Sequence, residues 1–187
     1  NMSNFKKRTF IFSLIFFTIS LYAQEIMIGG EGVDLFGTLT MPETEEVKTI
    51  CVIVPGSGPT DRDGNSALGI KTDAYMLIAE ALAENGIASF RYDKRGVGKS
   101  IVEGLKEEDI LFETNIQDLK RIVSNLKGMN KFEKIFLIGH SEGSLVSILC
   151  AKEEEVNGIV SIAGVGKNAG DLFIDQFKAQ LSKPLVN

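Results

Sequence analysis

The sequence predicts an α/β fold: a mostly parallel sheet with helices on both faces, entered through an antiparallel hairpin. Three observations predict it. Short apolar runs rich in β-branched residues recur at 49–56, 87–93, 134–139 and 158–164; stretches with apolar residues at i, i+3, i+4 spacing separate them; glycines punctuate the junctions. Continuous apolar runs suit strands buried on both faces, and strands alternating with amphipathic helices make parallel neighbours. Composition is consistent with this. At 187 residues, 44% hydrophobic and 24% charged, the chain lacks the low hydrophobicity of disorder. Two cysteines are too few for a disulfide-stapled mini-protein. A net charge of −5, with no dense basic run in the body of the chain, argues against nucleic acid as a partner.

The first segment, 1–23, reads as a signal peptide. Lys6, Lys7 and Arg8 precede the apolar run Phe10–Leu21, and Ala23 is a small residue suited to cleavage before Gln24, although Leu21 fits the −3 position poorly. Twelve residues are short of the roughly 20 that a membrane span requires, so the weaker reading is a transmembrane anchor. The expectation is export, periplasmic or secreted, without a stable membrane anchor. Cleavage removes three positive charges and no negative one, taking the net charge from −5 to −8. Cys51 and Cys150 both sit in apolar surroundings and read as buried free thiols.

Residues 25–29 and 33–42 read as two strands joined by a glycine-rich turn. Thr49–Val54 is the first strand of the parallel sheet and ends at Pro55-Gly56. Asp73 is placed to cap a helix with Ala74, Leu77, Ile78, Ala81 and Leu82 on its apolar face, closed by Gly86. A strand over 87–93 and a polar loop follow. The next helix carries Phe112, Ile116, Leu119, Val123 and Leu126 on one face and stops at Gly128. Then come a strand over 134–139, a helix over 141–154, and a strand over 158–164. From about 168 to 181, Ile174, Phe177 and Leu181 share one helical face.

Chemistry concentrates in Gly139-His140-Ser141-Glu142-Gly143, a G-x-S-x-G set directly after a buried strand and directly before a helix. A strand turning sharply into a helix leaves no room for side chains beside the central residue, so glycines flank it. The serine is then held strained with its Oγ projecting from the turn. The helix that starts here aims its free N–H groups and positive end at a reacting carbonyl. Ser141 is the candidate nucleophile.

Together with the loop Pro55–Asn65 (PGSGPTDRDGN) and the segment Arg91–Ser100 (RYDKRGVGKS), this elbow resembles the α/β-hydrolase family of esterases, lipases and related serine hydrolases. It most resembles a carboxylesterase-type branch carrying a G-S-G-P-x-D-R-D-G-N loop. The resemblance implies that residues 24–187 are the N-terminal part of an α/β-hydrolase domain, C-terminal strands missing, with a lid or cap helix starting near 168. It also implies cleavage of a small-molecule ester through an acyl-enzyme, with the backbone N–H groups of Ser57 and Glu142 as oxyanion donors and no cofactor or metal. A serine peptidase of the same fold is the alternative within the enzyme class. A dehalogenase is disfavoured, since its nucleophile would be an aspartate in place of Ser141.

Two look-alike motifs fit poorly. Asp61-x-Asp63-x-Asn65 begins like a calcium loop but has Ser66 and Thr72 where glycine and glutamate are needed. Gly98-Lys99-Ser100 ends like a phosphate-binding loop, but Asp93 stands where its first glycine belongs. Arg62, Asp63, Asp93 and Arg95 are expected instead to pair and hold the two loops beside the site.

A serine needs a general base, and the family order is Ser, then Asp or Glu, then His. The one histidine is His140, beside the serine on a turn that directs neighbouring side chains apart, so it reads as a packing or substrate-site residue. The triad acid and base are not in this chain. It therefore reads as a fragment of a longer enzyme, whose sixth strand would be left an exposed, aggregation-prone edge. The competing reading is a degenerate homologue that binds without turnover.

Overall fold

Thr49–Val54 (β3) and Lys134–His140 (β5) are adjacent parallel strands at the centre of the sheet, in a register that pairs Val54 with Gly139. The computed structural model describes residues 22–30, 32–44, 46–105 and 109–164, together with residues 166, 171, 174 and 178. Around the central pair lie Tyr22–Ile28 (β1), Leu35–Met41 (β2), Ala88–Tyr92 (β4) and Gly158–Ile162 (β6). The strand order is β1-β2-β4-β3-β5-β6. β1·β2 and β2·β4 are antiparallel; the remaining pairs are parallel.

Alternation along β3 divides the core between the two faces. Ile50, Val52 and Val54 pack with Leu119, Ile122, Val123 and Leu126 of α2 (Phe112–Gly128) and with Val146 and Cys150 of α3 (Glu142–Cys150). Cys51 and Ile53 face the other way, onto Tyr75 and Ala79 of α1 (Ala74–Glu84). The two cysteines thus sit in separate cores on opposite faces and are free and buried. Burial pushes the Cys150 thiol up to about 11 and raises that of Cys51, which keeps both thiols protonated and unreactive at neutral pH.

The structure departs from the sequence-based expectation in several places, among them α3, expected to reach 154 and ending at Cys150. The buried face of α1 is Tyr75, Ala79 and Ala83, with Ile78 and Leu82 at its flank; Leu77, expected inside, is 55% exposed. The helix is rotated because Tyr75 is drawn inward by polar partners beneath it. Asp73 occupies the N-cap position in a left-handed conformation, φ 51°, and makes no side-chain cap. Its carboxylate instead accepts the Asn65 amide at 2.7 Å. Helix α2 runs through Gly128, and the left-handed turn comes at Asn130, φ 51°. Strand β1 begins three residues early, with Tyr22 and Ala23 paired to Met41 and Thr40. The expected leader otherwise lies outside the described residues, as does most of the tail helix, of which Asp171, Ile174 and Lys178 are described and helical.

β6 is the edge strand of the described sheet, with Ile159, Val160 and Ile162 exposed along it. Among the described residues no helix is long and apolar enough to cross a membrane.

Candidate active site

Because Val54 and Gly139 are neighbours in register, the chain leaves both central strands at the same end of the sheet. Pro55-Gly56-Ser57 and His140-Ser141-Glu142 are therefore brought together. Ser141 has φ 53° and ψ −119°, a conformation that costs an L-residue on the order of 1–3 kcal/mol and persists only where its surroundings enforce it. Those surroundings are specific. A Cβ on Gly139 would run into the Gly143 carbonyl and the Ser144 Cα, and a Cβ on Gly143 would meet the carbonyls of Val54 and Pro55. The Ser141 N–H donates to the Ile162 carbonyl at 2.8 Å, tying the turn to the end of β6. Ser144 Oγ donates to the Gly139 carbonyl at 2.8 Å, closing the first turn of α3 over the strand.

Ser57 and Glu142 line one cleft of about 380 Å³, shared with Lys94, Arg95, Ile110, Phe112 and Asn115. Among the described residues, neither the Ser57 N–H nor the Glu142 N–H has a hydrogen-bond acceptor. Two free amide donors at the mouth of a helix N-terminus can receive an anionic oxygen.

His140 is engaged elsewhere. Its Nδ1 lies 2.9 Å from the Tyr75 hydroxyl, and the two rings meet edge to face at 5.8 Å. The same hydroxyl oxygen accepts the Gly56 N–H at 3.2 Å, so the phenol must donate its proton to Nδ1 or receive one from it. Burial raises the Tyr75 pKa, with the Gly56 N–H pulling it back, and the phenol stays protonated.

The loops beside the cleft are held by ion pairs, with partners that differ in part from those expected. Arg62 and Asp93 do pair, at 2.6 Å, with side chains 11% and 3% exposed. Asp63 pairs instead with Arg91 of β4 at 2.9 Å, and Arg95 with Asp118 of α2 through bonds of 2.7 and 3.1 Å. Burial pushes the Asp93 carboxyl up, but the Arg62 guanidinium and the N–H groups of Lys99 and Arg62 outweigh it and hold the group below the ordinary carboxylate range. The calcium-like motif has a local explanation too. Asp61 Oδ1 accepts the N–H groups of Asp63 and Asn65, both at 2.9 Å, which shapes the turn.

Two residues of the site carry no sequence signal: Tyr75, and Lys94, whose Nζ donates to the Gly56 carbonyl at 2.7 Å. Lys94 lies inside a segment that stood out, but nothing local says which of its charges turns toward the cleft.

This strand order, with a strained serine between the fifth strand and the helix after it, defines an α/β-hydrolase fold. The chain belongs to the family described as Serine aminopeptidase, S33, whose pattern matches residues 68–185. It is similar to Esterase EstD of Thermotoga maritima, 28% identical over 160 residues, covering 85% of this chain and 36% of that protein. Protein phosphatase methylesterase 1 of Schizosaccharomyces pombe is 28% identical over 149 residues, 75% of this chain and 40% of its own. In fold it is similar to the Pyrococcus furiosus esterase PF2001, with a TM-score of 0.65, 23% identity, and coverage of 89% of this chain and 57% of that one. The chain thus spans little more than a third of its curated relatives and about half of this structural one.

Proposed function

We propose that this chain carries the nucleophile and oxyanion hole of an exported serine hydrolase that cleaves carboxylic esters through an acyl-enzyme. One observation carries the reading: a strained serine at the strand–helix turn, next to two unpartnered amide donors on a cleft. Ser141 Oγ attacks the ester carbonyl carbon and passes its proton to a general base. The carbonyl oxygen becomes an oxyanion held by the Ser57 and Glu142 N–H groups. Its collapse expels the alcohol, which takes the proton from the base, and water then releases the acid by the same steps reversed. His140 is the one histidine of the chain, and among the described residues it meets Tyr75 through Nδ1 and makes no hydrogen bond to the Ser141 hydroxyl, so this reading assigns the base and its acid to residues other than His140. Esterase relatives support an ester substrate. The basic residues 6–8 and the apolar run after them support export, with cleavage after Ala23.

The family's own description favours a second reading, hydrolysis of a peptide bond by the same serine. The complete gene product should be labelled at Ser141 by a fluorophosphonate and should turn over p-nitrophenyl acyl esters in preference to aminoacyl p-nitroanilides. The reverse preference selects the peptidase. A folded protein that takes no label at Ser141 is a binding protein instead.

A further inference from the structure

We infer that Lys94 is a positioning residue for the oxyanion hole, acting through the Gly56–Ser57 peptide; the inference rests on the hydrolase reading above. The amide whose N–H is the Ser57 donor has the Gly56 carbonyl at its other end, and that carbonyl accepts the Lys94 ammonium at 2.7 Å. The unit is rigid and planar, so fixing its oxygen fixes the direction of its N–H. It needs fixing. Gly56 is a glycine because a Cβ would press on His140 Nδ1 and Ser141 Cβ at 3.2 and 3.3 Å, and Gly58 beyond it sits at φ 77°. A glycine on either side of Ser57 leaves that peptide free to rotate unless something outside the loop holds it.

Lys94 Nζ holds it by the Gly56 carbonyl, while Tyr75 Oη takes the Gly56 N–H and so fixes the preceding Pro55–Gly56 peptide. The lysine adds a second effect. A charge-assisted bond to a carbonyl draws electrons through the amide and makes its N–H a stronger donor. That gain is largest when the substrate oxygen becomes an anion, so it favours the transition state over the bound ester. Lys94 is placed for this by its own loop, where Asp93 is clamped by Arg62 on one side and Arg95 by Asp118 on the other.

The test compares the complete gene product with Lys94→Met, Lys94→Gln and Lys94→Arg on a p-nitrophenyl ester, alongside a trifluoromethyl ketone whose Ser141 adduct is an oxyanion. Losing a whole oxyanion donor costs about 10²–10³ in rate, so losing its polarisation should cost about tenfold in kcat with KM within twofold. Affinity for the ketone should fall by the same factor as kcat/KM, while affinity for the carboxylic acid product stays unchanged. Lys94→Arg should recover most of the loss. If Lys94→Met does not fold, Lys94→Gln makes the same comparison. A loss confined to KM, or unchanged ketone affinity in a folded variant, overturns the inference and leaves the hydrolase reading standing. If the wild type and Ser141→Ala are equally inert, both fall.

Discussion

The Tyr75 hydroxyl stands 2.9 Å from Nδ1 of His140 and accepts the Gly56 N–H at 3.2 Å, so one phenol joins helix α1 to both segments that form the site. Tyr75→Phe keeps the ring and removes the joint. It leaves a buried N–H and a ring nitrogen without partners, which should cost about 1–3 kcal/mol. Urea unfolding of the variant measures this, and an unchanged midpoint would mean that the contacts contribute nothing.

His140 meets Tyr75 through Nδ1 and, among the described residues, makes no hydrogen bond to the Ser141 hydroxyl, so the proposed reading gives it no base role. His140→Gln in the complete protein should therefore retain kcat within about tenfold, whereas losing a true general base or the nucleophile costs about 10⁴ or more. A His140→Gln enzyme as dead as Ser141→Ala would return the base role to His140.

Ser141 is strained at φ 53°, and glycine adopts such a backbone without penalty. Ser141→Gly should abolish ester hydrolysis and raise stability by about 1 kcal/mol. Equal or lower stability by chemical denaturation would show that the turn stores no strain.

Gly143 has backbone carbonyls, not yielding side chains, in the space a Cβ would fill. Gly143→Ala should cost about 2 kcal/mol or more and should displace the Glu142 N–H, so residual activity in a folded variant should drop with kcat rather than KM. Gly128→Ala, where no atom approaches within 4 Å, is the matched control and should leave kcat unchanged.

Asp93 is held below the ordinary carboxylate range when folded, against an unfolded value of about 3.9. Its contribution to stability is complete above that value and is lost as the pH falls through the lowered folded one. Urea midpoints measured from pH 6 to pH 2.5 should therefore decline less steeply in Asp93→Asn than in the parent. Parallel declines would mean that other carboxylates drive acid unfolding.

The strand sequence and the elbow were legible because each is written locally. Runs such as Ile50–Val54 carry their own burial, and Gly139 and Gly143 bracket Ser141 at a spacing that has a steric cause. The clamp on Gly56 is written in three separated segments. Tyr75 is an aromatic one turn into a helix, and an apolar-spacing argument favoured Leu77 over it; only the position of Gly56 and His140 beneath the helix decides the rotation. Ion-pair partners were half legible for the same reason. Arg62 and Asp93 meet between the two segments that carry the resemblance, whereas Arg91 is buried within a strand and Asp118 on the inner face of α2, where a charge is not expected.

The parallel contact between β3 and β5 also has a consequence for the order of folding. No local event can bring Val54 beside Gly139; the intervening α1, β4 and α2 must be spanned first, and that loop-closure entropy is lost before the pair gives any return. During synthesis the loop at Gly56 is made long before the serine it faces. A nascent chain ending anywhere before β5 therefore holds only the Gly56 half of the proposed site, and the two halves meet only after the sheet has closed across that gap.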